Sequence, residues 1–139
     1  MSRFTLVFTF GILALAACSS GGSPSGTTTG TGGGFTITIS NYQFSPDPIV
    51  VPAGATITVV NDDTKSTSTH TATSEAAVGN YMPGQVSTNG FTFDTGNIDA
   101  GTSATISVPA GIPSGTKQPY YCQEHKSMMQ NPDPVIEIK

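Results

Sequence analysis

The sequence predicts an all-β domain, a Greek-key β-sandwich or barrel of about eight short strands. Three observations carry this. Apolar and hydroxyl residues alternate with a period of two in several runs, turn-forming residues fall between the runs, and no long stretch repeats with the helical period. Seven or eight such segments suit an antiparallel sandwich or barrel.

Taken in order, residues 35–40 (FTITIS) place Phe35, Ile37 and Ile39 on one face and hydroxyls on the other, the pattern of a strand with one buried side. The same alternation predicts strands over 56–61 (TITVVN), 91–94 (FTFD), 104–108 (ATISV) and 134–139 (PVIEIK), and residues 118–122 (QPYYC) read as a further strand. Residues 42–51 contain Pro46 and Pro48, which cannot donate to a ladder, so this segment is expected on an edge or in passage between sheets. Turn signals separate the runs at 52–54 (PAG), 61–63 (NDD), 95–97 (TGN), 110–111 (AG) and 113–115 (PSG). Residues 73–90 show no clean period and read as a long connection, with at most one helical turn near Ala76, Ala77 and Val78.

Composition divides the chain into residues 1–17, 18–34 and 35–139. Arg3 followed by the apolar run 4–17 is too short for the roughly 20 apolar residues of a membrane span and reads as an export signal. Its end, residues 15–18 (LAAC), resembles the lipobox of bacterial lipoproteins, which implies cleavage before Cys18 and lipidation of that thiol; an ordinary cleaved signal with an incidental cysteine is the alternative. Residues 19–34 (SSGGSPSGTTTGTGGG) have no charge and no large apolar group to offset their ordering entropy, so they are expected to act as a flexible tether. Its root-mean-square span is about 20 to 24 Å. Residues 35–139 have the size of one domain with one core. They hold all nine acidic residues and all basic residues except Arg3, a net charge near −5, which argues against nucleic acid as a partner.

The chemistry concentrates in residues 120–130 (YYCQEHKSMMQ). A thiol in an oxidising compartment normally ends in a disulfide. With Cys18 lipidated, Cys122 has no partner in the chain, which leaves either a buried inert cysteine or one held by a metal. His125 and Met128 follow at steps of three on the loop leaving the predicted strand, and such a loop can curl until all three side chains converge. Copper prefers these soft or borderline donors, and a trigonal His2Cys set with a long axial methionine is the blue-copper arrangement. The second imidazole must come from a neighbouring loop, and His70 is the only other histidine. A solitary histidine is more often a surface or hydrogen-bonded residue, but here both histidines stand where one metal would need them. Met128 is preferred to Met129 on spacing, and Met82 reads as packing or loop. Zinc could take one cysteine and two histidines, yet it gains little from a thioether, so one copper ion is expected.

Residues 51–62 (VPAGATITVVND), His70 and residues 120–128 (YYCQEHKSM) together resemble the small blue copper proteins, the cupredoxins related to plastocyanin, pseudoazurin and amicyanin. The similarity covers essentially all of 35–139, and the C-x-x-H-x-x-M spacing is amicyanin-like. The resemblance implies an eight-stranded Greek-key sandwich with a copper ion at one end that cycles between Cu(I) and Cu(II). It makes His70, Cys122 and His125 the strong equatorial ligands and Met128 the weak axial one. Tyr121 matches the aromatic residue before the cysteine in plastocyanin, where it lines an electron path. Strand alternation points it away from the face of Cys122, toward an exposed position, with simple packing as the alternative. The chain departs from these relatives at Thr71, where they often carry asparagine, and in residues 130–134, which are longer than expected before the last strand.

The function expected is therefore a mononuclear type 1 copper protein, lipid-anchored to a bacterial membrane and facing the periplasm or exterior, that passes single electrons to redox partner proteins as a monomer. An enzyme is disfavoured, because four protein donors leave no position for substrate and two histidines cannot build further copper centres. Two alternatives remain open: a copper chaperone or storage protein recruiting Met82 and Met129, and a structural or adhesive sandwich without stoichiometric copper.

Overall fold

The computed structural model describes residues 34–63 and 68–139. Among these residues eight strands are present: β1 (Phe35–Ser40), β2 (Gln43–Ser45), β3 (Ile49–Val51), β4 (Thr56–Asn61), β5 (Thr73–Ser74), β6 (Ser103–Ser107), β7 (Lys117–Tyr121) and β8 (Val135–Ile138). They form two four-stranded sheets, ordered β2-β1-β4-β6 and β3-β8-β7-β5, which remain a sandwich and do not close into a barrel.

The period-two pattern explains the core. Ile37 and Ile39 of β1, Ile57 and Val59 of β4 and Ile106 of β6 are buried on the inner face of the first sheet; Ile49 and Val51 of β3 and Ile136 and Ile138 of β8 answer from the second. Register stacks these residues across the ladders, with Ile37 beside Val59, Ile57 beside Ile106 and Ile49 beside Ile136. Each such side chain contributes about 1.5 to 3 kcal/mol by leaving water. Pro46 and Pro48 act as expected: β2 and β3 flank them, and the chain changes sheets there, with both strands on sheet edges.

Three expectations differ from the structure. The sheets are mixed, because β1 pairs with β4 and β3 with β8 in parallel, a consequence of the chain hopping between sheets before each partner arrives. Residues 91–94 form no strand; Asp94 makes a single bridge to Thr73, and the hydroxyl of Ser74 accepts the N–H of Phe93, so a side chain replaces a ladder bond. Of residues 73–90, expected to be a connection, Thr73–Ser74 form strand β5, and 76–90 contain no helix. The described residues have one short 3₁₀ turn instead, at Lys126–Met128, inside the loop after β7. The signal and tether expected in 1–17 and 18–34, including Cys18, lie outside the described residues.

Candidate metal centre

Strand β7 carries Tyr120 into the core, and Cys122 follows immediately beyond it, also buried. Its carbonyl accepts the N–H of Lys126 at 2.8 Å, which curls the chain back and brings His125 over the sulfur. His70 arrives from the opposite side. It exchanges both backbone hydrogen bonds with Ile98, at 3.1 and 2.7 Å, and is fully buried.

The three donor atoms converge. Sγ of Cys122 lies 3.8 Å from Nδ1 of His70 and 3.4 Å from Nδ1 of His125, and the ligand atoms of the three residues lie within 4.8 Å of one another. Metal–donor bonds of roughly 2.0 to 2.3 Å meeting at trigonal or tetrahedral angles would separate nitrogen and sulfur by about 3.5 to 3.8 Å, so the donor spacing fits one first-row ion. His70, Cys122 and His125 form a candidate copper site.

Hydrogen bonds hold the donors. The N–H of Thr71 donates to Cys122 Sγ at 3.3 Å, and the Thr71 hydroxyl accepts the N–H of Gln123 at 2.8 Å. Threonine thus links the His70 segment to the Cys122 loop with both a backbone donor and a side-chain acceptor. The Gln123 amide extends the link to Thr73 and Asp94, at 3.0 and 2.8 Å. On the far side of the His70 ring, Nε2 faces the buried carboxylate of Asp63 at 3.4 Å. Burial pushes His70 below the ordinary imidazole pKa and the His125 ring adds to that, while Asp63 opposes both. Tyr42 lies edge-on against both imidazoles, its ring centroid 5.4 Å from His70 and 4.9 Å from His125.

The two methionines of the loop part company. Met128 closes the 3₁₀ turn with its side chain 75% exposed, whereas Met129 is only 9% exposed and belongs to the core cluster that includes Cys122. Met82 is also exposed, on the 76–90 connection. Tyr121 points away from the Cys122 face as alternation requires, but it is not exposed: the ring of Tyr81 covers it, centroid to centroid 5.4 Å. Asp63, Tyr42 and Tyr81 gave no sequence signal as site residues, Asp63 reading only as part of a turn; each reaches the site only through the folding of a loop, and the Asp63-to-His70 step of seven residues belongs to no motif.

Neither a family model nor a curated protein matches this chain. Solved structures do. A purple cupredoxin from Nitrosopumilus maritimus is 21% identical, with a TM-score of 0.54 over 76% of this chain and 99% of that one. An oxidized mutant of amicyanin is 12% identical, with a TM-score of 0.53 over 76% of this chain and 81% of that one. A copper-containing nitrite reductase from Thermus scotoductus SA-01 is 18% identical, with a TM-score of 0.54 over 76% of this chain but only 22% of the larger enzyme. This chain therefore has the cupredoxin fold, and the cluster of His70, Cys122 and His125 at its candidate metal centre fits a type 1 copper site.

Proposed function

We propose that the protein is a mononuclear type 1 copper protein that carries one electron at a time between redox partner proteins. The convergence of one sulfur and two imidazole nitrogens on a common point carries this reading. His70, Cys122 and His125 would hold the ion. When bound, copper supplies a Cu(I)/Cu(II) couple. A thioether would be the fourth donor: spacing suggests Met128, and the burial of Met129 in the core cluster with Cys122 supports Met129.

Each residue has a separate task. Cys122 would supply the sulfur donor, a thiolate once the ion is bound, and the N–H of Thr71 points at that sulfur. His70 is locked inside the sandwich, while His125 is half-buried and presents the nearest donor edge to the surface. Tyr121 and the Tyr81 ring above it offer a second, longer exit from Cys122. Two of the three convergent donors, His70 and Cys122, are buried and only His125 reaches toward the surface, an arrangement that suits outer-sphere electron transfer. Export and anchoring through lipidated Cys18 complete the proposal, with the lipobox-like residues 15–18 as their support.

Cu(II) titration of the purified protein, read by visible spectroscopy, tests this. One equivalent should give an intense sulfur-to-copper charge-transfer band and a reversible one-electron couple. Cys122→Ser should lose the band and keep the circular dichroism of the β fold. Failure of the wild type to bind stoichiometric copper, or colour that survives in Cys122→Ser, sinks the proposal. Rapid metal exchange with weak colour would point to copper handling instead.

A further inference from the structure

Asp63 is 2% exposed, an expensive place for a carboxylate unless its oxygens are satisfied. Its Oδ2 faces two donors, the backbone N–H of Tyr42 at 3.3 Å and Nε2 of His70 at 3.4 Å. Its own N–H donates to Oδ1 of Asn61 at 3.1 Å, and the Asn61 amide ties down the carbonyls of Ser68 and Ile98 at 3.0 and 2.8 Å. The carboxylate is therefore met by the Tyr42 N–H and the His70 ring, while its backbone is tied through Asn61 to Ser68 and Ile98. The Tyr42 hydroxyl, 2.7 Å from Oγ of Ser68, ties the β1–β2 turn to the residues before His70. His70 is held between two groups: Nδ1 looks toward the Cys122 sulfur and Nε2 toward the Asp63 carboxylate.

We propose that Asp63 is a positioning residue that keeps the proton of His70 on Nε2, leaves Nδ1 free as the donor, and lowers the midpoint potential of the centre. The inference rests on the copper reading for its redox part alone. A carboxylate accepting from the outer nitrogen makes the imidazole a stronger base toward an ion at the inner one. A stronger, more negative ligand favours the ion of higher charge, so Cu(II) gains more than Cu(I) and reduction becomes harder. The step moves one electron and no proton; the Nε2 proton stays on the ring in both states.

The first measurement uses the metal-free protein. Long-range ¹H–¹⁵N correlation spectra should show His70 as the Nε2–H tautomer at neutral pH, and in Asp63→Ala this preference should be lost. An Nδ1–H tautomer in the wild type overturns the proposal, whatever the variants do. The second measurement is voltammetry of the copper-loaded protein. Partner groups around ligating histidines are worth 10- to 100-fold in metal affinity; if removing the charge weakens Cu(II) binding about tenfold relative to Cu(I), Asp63→Asn raises the midpoint potential by about 59 mV. Asp63→Glu should restore a potential close to the wild type. An unchanged potential in Asp63→Asn, with the fold intact, overturns the redox part. If the wild type binds no copper while its His70 stays pinned as Nε2–H, the copper reading fails and the positioning role of Asp63 stands.

Discussion

Glu75, just after β5, is fully buried. Its Oε2 accepts the N–H of Tyr81 at 2.9 Å, but Oε1 has no hydrogen-bond partner. Asp133, also buried, faces it and accepts the N–H of Gly79 at 2.9 Å, and the rings of Tyr81 and Tyr121 complete the surroundings. Burial, opposed by the Tyr81 N–H and reinforced by Asp133, pushes Glu75 up from 4.5 to about 7.

The sign follows from proton binding. Below pH 4.5 the carboxyl is protonated whether the chain is folded or not. Between 4.5 and about 7 the folded chain keeps the proton and the unfolded chain loses it, so stability falls as pH rises through this window and is flat above it. A displacement of roughly 2.5 units at about 1.36 kcal/mol each gives about 3 kcal/mol. Glu75→Gln preserves an acceptor for Tyr81, adds a donor toward Asp133 and cannot ionise. Urea unfolding at a series of pH values should find wild type and variant of similar stability at pH 4.5, and the variant more stable by up to about 3 kcal/mol at pH 8. Curves that stay parallel across the window, or a variant weakened at pH 8, would refute this account of the pair.

Further outcomes follow from packing and from the ligand loop. A Cβ at position 90 would land on Oε1 of Gln118, which accepts the N–H groups of Ser87 and Phe91 while its Nε2 donates to the carbonyls of Glu75 and Pro119. Gly90→Ala should therefore cost about 2 to 4 kcal/mol in chemical denaturation, through buried groups left unpaired, and the two losses should be markedly less than additive in Gly90→Ala/Gln118→Ala. Ile57→Ala, at a fully buried position between Phe35 and Ile106, should cost about 2 to 5 kcal/mol in the same assay. Met129→Leu should alter the visible spectrum and midpoint potential of the copper form at a stability cost below about 1.5 kcal/mol, while Met128→Leu leaves both unchanged.

Legibility in the sequence was uneven for reasons that can be named. Strands β1, β4, β6 and β8 announce themselves because one face of each is buried and alternation reports this directly. Pro46 and Pro48 mark the change of sheet because a missing N–H is a local fact. The parallel pairing of β1 with β4 is not local, since partner choice depends on where intervening segments have gone. Phe91 and Phe93 alternate like strand residues, yet their only strand-like neighbour is two residues long. At the site, the step of three from Cys122 to His125 is legible, and both histidines do meet the sulfur. Which methionine turns inward depends on the 3₁₀ turn and on Lys126, whose φ of 45° redirects the chain, and spacing does not encode that. Tyr121 follows its alternation; its exposure was decided by a different segment folding over it.

Strand β8 follows β7 by fewer than twenty residues, yet it occupies an interior place in its sheet, with β3 on one side and β7 on the other. A nascent chain that has not yet delivered residues 135–138 has no partner for β3, and Ile49 and Val51 lose their neighbours Ile136 and Ile138. The long-range pairings that complete this sheet are the slow kind to form. The second sheet is therefore complete only when residues 135–138 pair, since without them β3 has no ladder at all and β7 keeps only the two-residue β5.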